Sequence, residues 1–199
     1  MGLTLFRDRE EALENLAEQL ALEGVENQFL VAISEAGEFY ASRLADRFGL
    51  EWERLFIERL YSPINPETTL GAISETKEYI LLEELIDSFE MEWELVYDEL
   101  ERLYTGRLKK RLLERRKDII SLAGKRVILI DEVVETGLGM MCGIKSCYRG
   151  KVETVAVAVP IISSEALEAM EQLVDKLFIG RKIENFVTGR AYFKNYRKE

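Results

Sequence analysis

The sequence predicts an open α/β fold in which helices flank a mostly parallel sheet. Two kinds of segment alternate along its 199 residues. Short unbroken apolar runs, among them Phe29-Leu30-Val31-Ala32-Ile33, Val127-Ile128-Leu129-Ile130 and Val155-Ala156-Val157-Ala158-Val159, read as strands buried on both faces. Between them lie stretches whose apolar residues recur at helical spacing. Strands buried on both faces and alternating with helices pair in parallel, through right-handed crossovers that cover the sheet.

The elements follow in order. Asp8 with Glu11 resembles a capping box, and Leu13, Leu16, Ala17 and Leu20 fall on one face of a helix that ends near Gly24. After the strand at 29–33 come a turn at Ser34–Gly37 and a second helix, striped by Ala41, Leu44, Ala45 and Phe48 and closed by Gly49. Leu55-Phe56-Ile57 reads as a second strand. Two of the three prolines fall in Tyr61–Glu67, which is therefore a loop. Gly71–Glu75 and Tyr79–Leu82 read as short strands of a hairpin. A long charged helix spans about Glu92 to Arg116, striped by Val96, Leu100, Leu103, Leu108 and Leu112, with Gly106 as its weak point. The strand at 127–130 is followed by a loop and a helix from about Met140 to Tyr148. The strand at 155–159 ends at Pro160, Ser163 or Ser164 caps a helix through Leu173, and Leu177-Phe178-Ile179 closes the series. Residues 1–199 read as one domain without repeat or linker, and 47% apolar content supplies its core.

Charge and composition exclude several function classes. With 37 acids against 27 bases the net charge is −10, which argues against nucleic-acid binding but not against a local site for a small anion. The chain has no histidine, so Ser/His and Cys/His catalysis is excluded and a zinc site is disfavoured. Cys142 and Cys147, five apart on one helix, diverge and cannot bridge; they read as small core residues in a reducing compartment. No apolar run approaches the roughly 20 residues that span a bilayer. The segment Met1–Asp8 lacks a signal peptide's apolar core, and Phe6 stands where a myristoylation signal takes Ser or Thr. The expectation is a cytoplasmic protein.

The chemistry concentrates in Asp131-Glu132-Val133-Val134-Glu135-Thr136-Gly137-Leu138-Gly139-Met140. A buried strand delivers two adjacent acids to the carboxyl edge of the sheet, where open α/β folds bind ligands. A Thr-Gly-x-Gly turn then opens a helix, so that small residues and the helix N-terminus bring backbone N–H groups and partial positive charge to an anion. Acids for hydroxyls beside a cradle for phosphate suit a sugar phosphate.

This stretch resembles the phosphoribosyl-pyrophosphate (PRPP) motif of type I phosphoribosyltransferases. Weaker matches accompany it: Leu5–Glu11, Arg59-Leu60 through Pro63–Glu67, Gly71-Ala72-Ile73, Tyr104-Thr105-Gly106-Arg107 and Val159-Pro160. The resemblance implies that family's fold, with a small hood built from the N-terminal region and Phe186–Tyr196. It implies transfer of 5-phosphoribosyl from PRPP to a nitrogenous base such as a purine, with Mg²⁺ carried by PRPP rather than by protein side chains, and a homodimer. Asp131 and Glu132 would contact the ribose hydroxyls, and Val134, Glu135, Thr136, Gly137, Leu138 and Gly139 would wrap the 5′-phosphate. Glu135 would act as base near the acceptor. Ser34, Glu35, Ala36 and Gly37 occupy the pyrophosphate-loop position, Arg59 is a flexible-loop phosphate contact, and the Pro63–Leu70 loop would close over the site.

Three positions depart from the motif. Glu35 and Glu38 set carboxylates against a pyrophosphate, and Gly139 lacks the second hydroxyl, a charge-assisted hydrogen bond worth about 1.5–3 kcal/mol. They motivate a second expectation, a module of the same fold that binds a nucleotide or phosphorylated metabolite without catalysis. The basic run Arg107–Lys117 reads as the polar face of the long helix; the alternative is a patch for a nucleotide, nucleic acid or acidic partner.

Overall fold

The computed structural model describes residues 4–196, with the side chain of Arg190 excepted. The Met1–Leu3 part of the N-terminal reading lies outside that range. Helix α1 (Arg9–Glu23) is capped by Asp8, whose side chain accepts from Glu11 N–H, and it ends at Gly24 with φ 70°. A cap of this kind contributes about 1 kcal/mol. Strand β1 (Gln28–Ala32) leads into α2 (Glu35–Phe48), which Gly49 closes in the left-handed conformation. Strands β2 (Glu51–Arg54) and β3 (Ile57–Tyr61) follow, then β4 (Thr69–Ser74), β5 (Tyr79–Leu81) and the short helix α3 (Glu83–Ser88).

A long rod comes next, made of α4 (Trp93–Arg102), a π-helical turn at Leu103–Leu108 and α5 (Lys109–Arg115). Strand β6 (Arg126–Ile130), the two-residue β7 (Val133–Val134) and α6 (Leu138–Arg149) carry the motif. Strand β8 (Thr154–Ser163), α7 (Ser164–Met170) and β9 (Lys176–Ile183) complete the body, before a 3-10 turn at Gly189–Tyr192.

The main sheet runs β2-β1-β6-β8, with β9 on the outer side of β8 and β7 continuing on its inner side beyond β6. Every pairing in it is parallel. One core cluster, led by Leu16, Leu20, Tyr40 and Leu44, packs α1 and α2 on one face. A second, led by Leu129, Ile144, Val157 and Met170, packs α6 and α7 on the other. A second sheet, antiparallel β3-β4-β5, has the α4–α5 rod packed against it through Leu60, Leu70, Leu100 and Leu108; this unit is a hood, but not the one expected from the N-terminal region and Phe186–Tyr196. One buried acid ties hood to body. Glu75, 1% exposed, accepts from Phe56 N–H and Ile120 N–H and pairs with Arg116.

Four boundaries differ from the sequence reading, each for a physical reason. Leu55 and Phe56 are the junction between β2 and β3 rather than a strand, because the flanking charged residues gain partners from distant elements. Residues 34–37 are not a free turn: Ser34 is the N-cap and α2 begins at Glu35. Strand β8 runs through Pro160, at the point where its inner neighbour changes from β6 to β7, so the missing N–H is tolerated. Gly180 of β9 lies opposite, where a Cβ would stand 2.5 Å from the Pro160 carbonyl oxygen. Helix α7 ends at Met170, short of Leu173.

Candidate functional site

The site forms where two β–α crossovers end at the carboxyl edge of the sheet. Strands β1 and β6 are neighbours in register, Ala32 beside Ile130, so the starts of α2 and α6 emerge side by side. A close approach fixes them. A Cβ on Gly37 would lie 2.6 Å from the Ile130 carbonyl oxygen and 3.3 Å from Asp131 Cα, so only glycine lets the first turn of α2 sit against the end of β6.

Ser34 and Asp131 join the two crossovers. Ser34 Oγ accepts from Gly37 N–H at 2.9 Å, capping α2, and donates to Asp131 Oδ1. Glu132 N–H donates to the same oxygen at 2.8 Å. Among the described residues Asp131 Oδ2 makes no hydrogen bond, which leaves one carboxylate oxygen for a ligand hydroxyl. Burial pushes the Asp131 carboxyl up to about 6, against the opposing pull of Ser34, the Glu132 N–H, Arg59 and Arg54.

Glu132 is placed differently. Its side chain is buried, Oε1 accepts from Arg9 Nε at 2.5 Å and from Tyr40 OH at 3.3 Å, and Oε2 accepts from Tyr196 OH at 3.0 Å. Arg9 also donates to the Ala36 carbonyl at 3.1 Å and stacks 4.2 Å over Phe39. This network holds the start of α1, the first turn of α2 and the Lys194–Tyr196 segment together around one acid. A cavity of about 660 Å³ opens between the same parts, lined by Arg9, Phe39 and Tyr196 among others.

The rest of the motif is a clamped cradle. Val134 is buried and pairs with Ile162, while the Glu135 carbonyl accepts from Ser163 Oγ at 2.5 Å. The side chains of Glu135 and Thr136 are exposed. Gly137 has φ 74°, which an L side chain adopts only with strain, and a Cβ there would also lie 3.3 Å from Ala166 Cβ. It starts α6 without a side-chain cap, so no side chain meets the first amides of the helix. Leu138 anchors the turn in a small cluster with Ala72 and Cys142. Gly139 has room to spare: the nearest atom to a Cβ would be Ile33 Cδ1 at 3.9 Å.

Around the pyrophosphate-loop position the charges are paired. Glu38 holds Arg54 at 3.0 Å and Arg115 at 3.5 Å, and the exposed Glu35 lies 3.8 Å from Arg111. Arg111 also pairs with Glu58 at 2.7 Å. Arg111, Arg115 and Arg116 of the basic run therefore face the body instead of forming a solvated polar face. Arg54 is buried with Nε lacking a partner, and its guanidinium pKa is lowered, chiefly by desolvation. Arg59 on β3 is exposed and makes no ion pair or hydrogen bond among the described residues; its charge acts on Asp131 through space. It shares a face of β3 with Ile57, which packs beside Leu138 and Cys142 at the start of α6.

Sequence reasoning brought Asp131, the Thr136–Gly139 turn and Ser34–Gly37 to one place, and the structure assembles them there. It did not single out Arg9, Tyr40 or Arg54 as site residues, and it took Arg111 only as one member of the basic run Arg107–Lys117. Cys142 and Cys147 are buried and free, and burial pushes both thiols up to about 12. Among the described residues no cluster of three acids or cysteines forms a metal site, and no helix is long and apolar enough to cross a membrane.

Comparison with known proteins bears on the fold. No protein-family model matches the chain. Over 161 residues it is 25% identical to a Mycobacterium tuberculosis protein described in two strains as a candidate phosphoribosyl transferase; the match takes in 80% of this chain and 36% of that protein. The chain thus spans about a third of the length of the curated relatives it matches. A Thermus thermophilus crystal structure superposes over 98% of this chain and 93% of its own, with a TM-score of 0.77 and 26% identity. The purine phosphoribosyltransferase of Pyrococcus horikoshii Ot3 shares the fold over 96% and 93% of the two chains, with a TM-score of 0.51 and 14% identity. The chain has the fold of the type I phosphoribosyltransferases and is similar in sequence to relatives described as phosphoribosyl transferases. Measured against the motif that marks this phosphoribosyltransferase family, its acids and its Thr-Gly turn are kept, while its pyrophosphate position has become a capped helical turn.

Proposed function

We propose that this protein transfers the 5-phosphoribosyl group of PRPP to a nitrogenous base. One observation carries the reading: Asp131, with one carboxylate oxygen making no hydrogen bond among the described residues, begins the short loop that leads from β6 to the uncapped N-terminus of α6. The amides from Gly137 to Met140 hold the 5′-phosphate, aided by the helix dipole. Asp131 holds the ribose hydroxyls and stabilises the positive charge that develops on the sugar ring as the bond to pyrophosphate breaks. Glu132, with both oxygens engaged, positions Asp131 and the neighbouring helices rather than the sugar. The departing pyrophosphate lies toward Arg59 and the first turn of α2. The acceptor base enters from the cavity beside Phe39 and Tyr196, and the exposed Glu135 carboxylate takes its proton.

When bound with PRPP, Mg²⁺ neutralises pyrophosphate charge. Among the described residues no three acids cluster, so in this reading the ion would take its ligands from phosphate and water. The test is PRPP- and Mg²⁺-dependent nucleotide formation across a panel of bases. Asp131→Asn lowers it about 10²–10³-fold, as loss of a transition-state contact does. Turnover unchanged in that variant removes the assignment.

The paired acids of the first turn of α2 favour a second reading, a module that binds a nucleoside monophosphate at the α6 cradle without turnover. Calorimetry separates the two: heat from nucleoside monophosphate, with none from PRPP and Mg²⁺, selects the binding module.

A further inference from the structure

A second cavity, of about 460 Å³, lies in the hood between β3 and the α4–α5 rod. That volume is within the range of small-molecule sites, about 300–1,000 Å³. Its floor is apolar, with Leu60, Val96 and Leu103 all buried, and exposed Tyr61 and Leu95 form its lip.

Two breaks in regular backbone border this one space. The β3–β4 register shifts between Leu60 and Tyr61, where Leu70 is the extra residue on β4. Across the cavity, the rod widens into the π-helical turn Leu103–Leu108. Such turns cost hydrogen-bond geometry and concentrate at functional sites. Only Gly106 is conformationally weak within it, and a Cβ there would meet nothing, so crowding at that residue does not account for the widening.

Charge at the rim selects the ligand. Arg59, Arg102 and Arg107 line the cavity against Asp98 and Glu99. Arg102 is paired with Glu99 at 3.3 Å, but Arg107 reaches only Glu58, at 4.0 Å, and Arg59 has no ion pair among the described residues. In a chain of net charge −10 this mouth presents Arg107 as a loosely paired guanidinium close to Arg102. The two acids beside it disfavour a polyphosphate, whereas one anionic group on an apolar body meets both the arginines and the floor.

We propose that this hood cavity is a second ligand site, for a small apolar molecule with a flat ring system and a single anionic group, separate from the phosphate cradle at α6. The ring system lies on Leu60, Val96 and Leu103 beside the Tyr61 lip, and the anion sits between Arg102 and Arg107.

Fluorescence titration with anilinonaphthalene sulfonate tests the site, with uncharged N-phenylnaphthylamine as the control. The intact protein takes up one saturable equivalent of the sulfonate, and the uncharged probe binds at least about tenfold more weakly. Leu95→Glu, a change at an exposed lip residue, weakens the sulfonate by about tenfold or more. So does the surface double variant Arg102→Gln with Arg107→Gln; far-UV circular dichroism and Tm stay as in the parent. Saturating inorganic pyrophosphate leaves the sulfonate bound. Unchanged affinity in both variants, equal binding of the two probes, or displacement by pyrophosphate would each overturn the proposal.

Discussion

The β1–α2 and β6–α6 crossovers begin alike and end differently. Each carries a buried strand to the same sheet edge and starts a helix of more than ten residues there. The first closes on itself: Ser34 caps the turn, and Glu35 and Glu38 are met by Arg111, Arg54 and Arg115. The second stays open, with glycine at its cap position and no acid in its first turn. A helix N-terminus therefore becomes an anion site only when its own side chains leave the amides and the field unspent. Asp131 sits at the seam, anchored by the closed crossover and presented by the open one.

The strongest way to test this contrast is Asp131→Asn, which lowers nucleotide formation by about 3–4 kcal/mol in transition-state terms while leaving the Ser34 link in place. The same variant has an opposite effect on stability. The folded carboxyl holds its proton up to about pH 6, against an ordinary value of 3.8, so between those values the folded state binds the proton that the unfolded state has lost. Stability from this group is fullest below the unfolded value, falls as pH rises toward the folded one, and is level above it, a loss of up to about 3 kcal/mol. Asparagine removes the loss. Denaturant titrations should find the variant about 1–3 kcal/mol more stable at neutral pH, with the difference gone below about pH 4. The rate of the parent should rise through about pH 6 as the carboxylate forms.

Gly37→Ala attacks the close approach that joins the two crossovers. Its Cβ meets backbone, which cannot swing away, and thermal unfolding should report a loss of about 2–3 kcal/mol. Gly139→Ser works in the opposite sense on the open crossover, where a side chain has space. The added hydroxyl should tighten nucleoside monophosphate about tenfold by calorimetry; no change would mean that the phosphate does not reach that turn. The smallest effect belongs to Glu35→Gln. Its exposed pairing with Arg111 should cost under about 0.5 kcal/mol of stability, while pyrophosphate affinity rises at low salt and the gain fades as salt is added.

The two crossovers also differ in how they read from sequence. The second was legible almost residue by residue, because strand, acids, turn and helix start are consecutive and each has a local cause. The first was legible only as a place. Ser34 as a cap follows a common pattern, but the arginines that neutralise Glu35 and Glu38 come from residues 54, 111 and 115, and pairing over that separation leaves no local trace. The same blindness hid β2 and β3, whose Glu53, Arg54 and Glu58 break the apolar pattern of a buried strand yet find partners at distance, Glu53 and Glu58 at the end and middle of the rod and Arg54 on α2. It made the basic run look like a solvent-facing stripe. Pro160 misled for another reason: proline interrupts a ladder only where a donor is needed, and which strand lies alongside at that residue is a property of the finished sheet.

Glu132 gives the site a calendar. Its three partners come from residues 9, 40 and 196, so the acid beside Asp131 acquires the latest of these hydrogen bonds only when the Lys194–Tyr196 stretch arrives beside Phe6. The main sheet through β9 has its own ladder pairings, so it can form before that stretch docks, and the pocket around Glu132 is the last part to settle.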